Sequence, residues 1–135
     1  MAATSASSAW AVGIALPSSG PGKTLILRWN GTAWTRIPSP NPEAYGSLNG
    51  VTATSASSAW AAGCSKCDSG LDETQILGWN GTAWTQAAGP APAEGHFLFG
   101  VAATSPSNAW AVGQAASLTG PTKTLILRWN GKTWQ

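Results

Sequence analysis

Cys64 and Cys67 lie three positions apart, with Lys66 between them and His96 as the chain's single histidine. A Cys-x-x-Cys pair can form a local disulfide, supply half of a zinc site or act as a redox dithiol. A four-cysteine zinc site needs a second pair, which this chain lacks, and a mixed site would have to borrow ligands from partner chains. Thioredoxin-like chemistry wants the pair at the start of a helix that follows a strand, and CSKCDSGLD reads as a loop. A local disulfide in an exported protein is the plainest reading, with free thiols and an intersubunit metal beside it. Hydrolysis has less to work with. The five acids Glu43, Asp68, Asp72, Glu73 and Glu94 fall in loops or at a strand edge. Paired carboxylates could come only from Asp68, Asp72 and Glu73 or from neighbouring loops. A triad would have to use His96, and no serine sits on a sharp elbow. The expectation is that the chain is not an enzyme and needs no cofactor or metal.

The tryptophans are the other conspicuous chemistry. Indole faces stack on sugar rings, and an adjacent cationic donor can orient a monosaccharide. Trp29, Trp79 and Trp129 stand beside Asn-Gly dipeptides, with Arg28 and Arg128 next to the first and third. Gly78 replaces the arginine in the second, so three equal arginine-assisted sites are excluded.

These residues recur because the chain is a repeat. Trp10, Trp60 and Trp110 are 50 residues apart, as are Trp29, Trp79 and Trp129, and Trp34, Trp84 and Trp134. Together they are all nine tryptophans. TLILRWNGTAW at 24–34 returns as TQILGWNGTAW and TLILRWNGKTW. Stacked helical repeats reach roughly 40–47 residues, but apolar spacing of helical period is missing, while kelch-type units have about 50. With only 9% charged residues, sixteen Gly and nine Pro, the composition points to short strands and turns. In the second copy strands are expected at about 48–54, 58–63, 74–79 and 82–87. Asn30-Gly31, Asn80-Gly81 and Asn130-Gly131 predict two-residue type I′ hairpins. In copy one this register sets Trp29 opposite Thr32, Leu27 opposite Trp34 and Leu25 opposite Arg36. Alternation then places Leu25, Leu27, Trp29, Trp34 and Arg36 on one face, and Ile26, Arg28, Thr35 and Ile37 on the other. Both faces carry apolar groups, so each sheet is expected to be covered on both sides. Asn30 and Asn80 also lie in glycosylation sequons, but the third copy reads Asn-Gly-Lys, and the turn explains all three.

A small first strand, AWAVG, ILRWNG, TAWT and a Pro-rich connection together resemble the blade of a kelch or galactose-oxidase-like β-propeller, over the whole chain. NGTAW also looks like the Gly-x-x-Trp part of an Asp-box, though Trp29 or Asn30 stands where the acidic residue belongs. The resemblance implies an all-β fold of β-propeller blades, each of four antiparallel strands, three blades per chain. Blade 1 would span 1–47 with a shortened first strand, blade 2 48–97, and blade 3 98–135 with a truncated last strand. It also implies a structural role for Trp34, Trp84 and Trp134, and packing explains Trp10, Trp60 and Trp110 in strands covered on both sides.

Propellers close with four to eight blades, so three are too few. Each end of a three-blade wedge would expose roughly 300 Å² of sheet, more in sum than soluble monomers usually show. The expected partner is the chain itself, packing head-to-tail: a homodimer of six blades is favoured and a homotrimer of nine is the runner-up. A larger propeller from which this piece was cut is the main competing explanation. The expected function is therefore a self-assembling structural module. The alternative is a carbohydrate-binding, lectin-like propeller, since small propeller lectins built from short repeat chains resemble this plan. It would use the inter-blade Trp or the variable loop end with Tyr45, His96, Phe97, Phe99 and Lys66.

A formal charge of +2 from scattered basic residues argues against nucleic acid. No stretch is long and apolar enough for a membrane helix. Copy one begins with Met1 where the others have Val51 and Val101. That reads as a mature or engineered fragment of a protein extracellular in origin, its export signal removed.

Overall fold

The computed structural model describes residues 1–40, 45–67, 72–90, 95–117 and 119–135. Glu43, Asp68 and Glu94 lie outside the described residues. Among the described residues all regular structure is β: β1 (Ala2–Ser5), β2 (Ser8–Ala15), β3 (Lys23–Trp29), β4 (Trp34–Arg36), β5 (Gly46–Ser55), β6 (Ser58–Ser65), β7 (Glu73–Trp79), β8 (Trp84–Gln86), β9 (His96–Ser105), β10 (Asn108–Ala115) and β11 (Lys123–Trp129). They form three antiparallel sheets in sequential order, β1–β4, β5–β8 and β9–β11. A bridge from Trp129 to Trp134 sits where a fourth strand would begin in the last sheet.

The hairpin after the third strand differs from the two-residue expectation. Trp29 pairs with Trp34, Arg28 with Thr35 and Leu27 with Arg36, and Trp79 pairs with Trp84 in the second sheet. The loop is therefore residues 30–33. The reason is the asparagine side chain. Asn30 Oδ1 accepts the N–H groups of Thr32 and Ala33, both at 2.9 Å, and Asn30 N–H donates to Ala33 O at 3.3 Å. This Asx arrangement stabilises a wider turn than type I′. Gly31 alone carries the positive φ, +96°; Gly81 and Gly131 repeat it. The wider loop also shortens the fourth strand, expected over 82–87 and found at Trp84–Gln86. The slip is two residues, so side-chain parity survives: Trp29, Trp34, Leu27 and Arg36 still share a face.

The second sheet is buried on both faces. Adjacent residues Ala61 and Ala62, and Ile76 and Leu77, are all inaccessible or nearly so. One cluster joins sheets one and two through Trp10, Ile26, Leu48, Val51, Leu77, Trp79 and Trp84. A second joins sheets two and three through Trp60, Ala62, Ile76, Leu98, Ala111, Leu127 and Trp134. Coverage of every sheet on both sides, expected from the sequence, is thus realised within the chain only for the middle one. Among the described residues, no further sheet covers the outward faces of sheets one and three.

First strands meet closely because they are small. A Cβ on Gly50 would lie 2.9 Å from Gly100 Cα, so neither sheet could approach as it does with a larger residue there. Asn49 sits where β5 slips register on β6, and its Nδ2 donates to Leu98 O of the next sheet at 2.7 Å.

Candidate functional site

The two junctions between sheets use one device. Trp10 of β2 packs on Trp79 and Trp84 of the next sheet, with ring centroids 5.0 and 5.1 Å apart. Trp60 of β6 packs on Trp129 and Trp134 at 4.8 and 5.3 Å. In both cases the second ring is met almost edge-on, at 86° and 89°, a favoured aromatic geometry. The receiving pair is itself in contact, Trp79 with Trp84 at 5.8 Å and Trp129 with Trp134 at 5.9 Å. So the tryptophan of each second strand enters a socket made by the third- and fourth-strand tryptophans of the following sheet.

One plug and one socket are left over. Trp110, the plug of sheet three, is 43% exposed, and Val112 and Ile126 beside it are 45% and 58% exposed. Their counterparts in sheet two, Ala62 and Ile76, are buried. The leftover socket is Trp29 with Trp34, rings 5.6 Å apart, on sheet one. Trp34 is 43% exposed, whereas Trp84 and Trp134 are buried. Phe99 is also exposed on sheet three and rests against Phe97 at 5.1 Å.

Arginines accompany the plugs. Arg28 pairs with Trp10 across β2–β3 and lies over its ring at 5.2 Å, and over Trp79 of the next sheet at 5.6 Å. Arg128 lies over Trp110 at 5.2 Å. In sheet two the corresponding residue is Gly78, opposite Trp60. The Trp60 ring lies against Gly78, its Cζ3 2.9 Å from where a Cβ would stand, and beside them opens a cleft of about 360 Å³ lined by Trp60, Gly78, Thr85, Ala87 and Trp129 among others.

Two of the three rim tryptophans offered for sugar stacking already use their donors. Trp29 Nε1 donates to Ala6 O at 3.0 Å, and Trp79 Nε1 to Ala56 O at 3.1 Å. These bonds tie the 30–33 and 80–83 loops to the turns between first and second strands, at one end of each sheet. At the other end, the Tyr45 and Ile14 side chains both crowd the place a Cβ on Gly22, just before β3, would take. His96 donates its backbone N–H to Asp72 O at 2.7 Å and pairs with Ala115 in sheet three. None of the described ring contacts joins Tyr45 to the Phe97–Phe99 pair. Lys66, at φ 56°, pairs with Glu73 at 2.6 Å, both half exposed. Cys64 and Cys67 are disulfide-bonded, with Cα atoms 5.9 Å apart. Among the described residues no group of three His, Cys, Asp or Glu is placed to hold a metal ion.

Sequence reasoning missed Gln75. It is 1% exposed and stands where the other copies have Leu25 and Leu125, with Nε2 donating to Pro40 O at 3.4 Å. The signal was present: TQILGW departs from TLILRW at two positions, Gln75 as well as Gly78. No known protein family matches the chain, and no curated protein or solved structure is significantly similar to it.

Proposed function

We propose that the chain is a self-assembling β-propeller module, each sheet acting as a blade and the ring being completed head-to-tail by another copy. The observation that carries this reading is the unmatched plug and socket. Trp110 on blade three and the Trp29–Trp34 pair on blade one repeat the residues that meet at both internal junctions. The two exposed surfaces differ and are complementary, so the contact is heterologous and either closes or propagates. With about 300 Å² per blade face, a two-copy ring would bury about 1,200 Å² over its two new junctions. That is the lower edge of stable interfaces, in a patch rich in aromatic anchors. Two copies make six blades, within the common range. Light scattering coupled to size exclusion tests the proposal. The expected mass is twice the 13.7 kDa of the chain, about 27 kDa. A monomer at every concentration would defeat it, and a mass near three chains would select nine blades.

A further inference from the structure

The cleft beside Gly78 carries a second inference, independent of assembly because it lies wholly within the chain. Sheets one and two show what fills this position when an arginine is present. The Arg28 guanidinium rests 5.2 Å from the Trp10 centroid and 5.6 Å from that of Trp79, so two indoles of adjacent sheets hold one planar cation. Sheets two and three keep the indoles, Trp60 and Trp129, at 4.8 Å, close to the 5.0 Å of Trp10 and Trp79. They lack the cation, because Gly78 stands in the register position of Arg28, and the Trp60 ring lies against the glycine. What remains is a cleft of about 360 Å³, a volume suited to a small ligand.

We propose that this cleft binds a guanidinium-type organic cation, held against Trp60 and Trp129 as the Arg28 side chain is held against Trp10 and Trp79. The attraction is that of a weakly hydrated planar cation for the negative faces of indoles. A neutral molecule of the same shape lacks this attraction. Ser58 and Thr85 at the cleft wall supply hydroxyl groups that can accept guanidinium N–H donors. None of the described residues lining the cleft is a carboxylate, so the expected dissociation constant for a simple alkylguanidinium is on the order of 1–10 mM.

The test is titration of the intact chain with ethylguanidinium at constant ionic strength, following the indole Nε1–H signals by NMR. Ethylurea serves as the neutral isostere. The expected result is saturable shifts at Trp60 and Trp129, at least tenfold weaker with ethylurea, and none at Trp10, where Arg28 occupies the place. Gly78→Arg fills the cleft from within and is expected to weaken binding more than tenfold. A Cβ there would come 2.9 Å from Trp60 Cζ3, so the buried indole, packed on Trp129 and Trp134, must move to admit it. Should that variant not fold, Arg28→Gly decides, because it opens the equivalent space and should add a second saturable site at Trp10 and Trp79. Equal binding of ethylurea, unchanged binding by Gly78→Arg, or no second site in Arg28→Gly would each overturn the proposal. The subunit mass does not enter these readouts, so this site and the proposed ring fail separately.

Discussion

Replacing Trp60 and Trp110 separately by alanine makes the same chemical change at equivalent positions of successive sheets. The proposed ring predicts that the two behave alike only when the ring is formed. Trp60 is buried within the chain, so Trp60→Ala should cost about 3–5 kcal/mol of folding stability at any protein concentration. Trp110 is 43% exposed. For a side chain of ~250 Å², about 110 Å² of indole remains for a second copy to cover. At ~25 cal/mol per Å² that is ~2.7 kcal/mol, and two new ring pairs add ~1–3 kcal/mol. Each junction therefore loses about 4 kcal/mol or more in Trp110→Ala. A two-copy ring contains two such junctions, so association should weaken by about 8 kcal/mol, nearly six powers of ten. Sedimentation velocity over a wide concentration range measures this directly. Wild type is expected at two chains and Trp110→Ala at one, with the variant still cooperatively folded. Its melting temperature should lose the concentration dependence that association gives wild type. The reasoning fails if Trp110→Ala keeps the wild-type mass, or if it unfolds the isolated chain as Trp60→Ala does.

Three other perturbations probe the elements around these faces. Asn80→Ala removes the Oδ1 acceptor of the Thr82 and Ala83 N–H groups, and should lower the urea-derived stability by about 1 kcal/mol, as loss of a comparable cap does. Reducing the Cys64–Cys67 bond opens a very short loop, so the loss should stay below about 2 kcal/mol with the mass of the assembly unchanged; a larger loss by chemical denaturation would show that the bond organises more than its own turn. Glu73→Gln removes the partner of Lys66 at a half-exposed position and should change stability by less than about 1 kcal/mol, with a still smaller effect at high salt.

The strand order and the two faces of each sheet were legible in the sequence. Alternation along ILRW and TAWT is a local property with period two, and it survived the misplaced hairpin register because the slip was an even number of residues. The location of each turn was equally local, since Asn and Gly accept its backbone geometry wherever they occur together. Loop length was not legible. It rests on whether Asn30 Oδ1 caps two backbone N–H groups, and the dipeptide Asn-Gly suits the two-residue and four-residue turns alike.

What the sequence could not determine was which copy of a repeated residue is covered. Trp10 and Trp110 both sit in AWAVG, pair with an arginine across the same strands and carry it over their rings. One is buried and the other 43% exposed, because burial belongs to the neighbouring sheet and only Trp10 has one to pack against. The same holds for the cleft at Gly78. The sequence shows a missing side chain; only the approach of Trp129 from the next sheet turns that gap into an open cleft with two indoles in its wall. Local periodicity sets which way a side chain points, and non-local packing sets what it meets there.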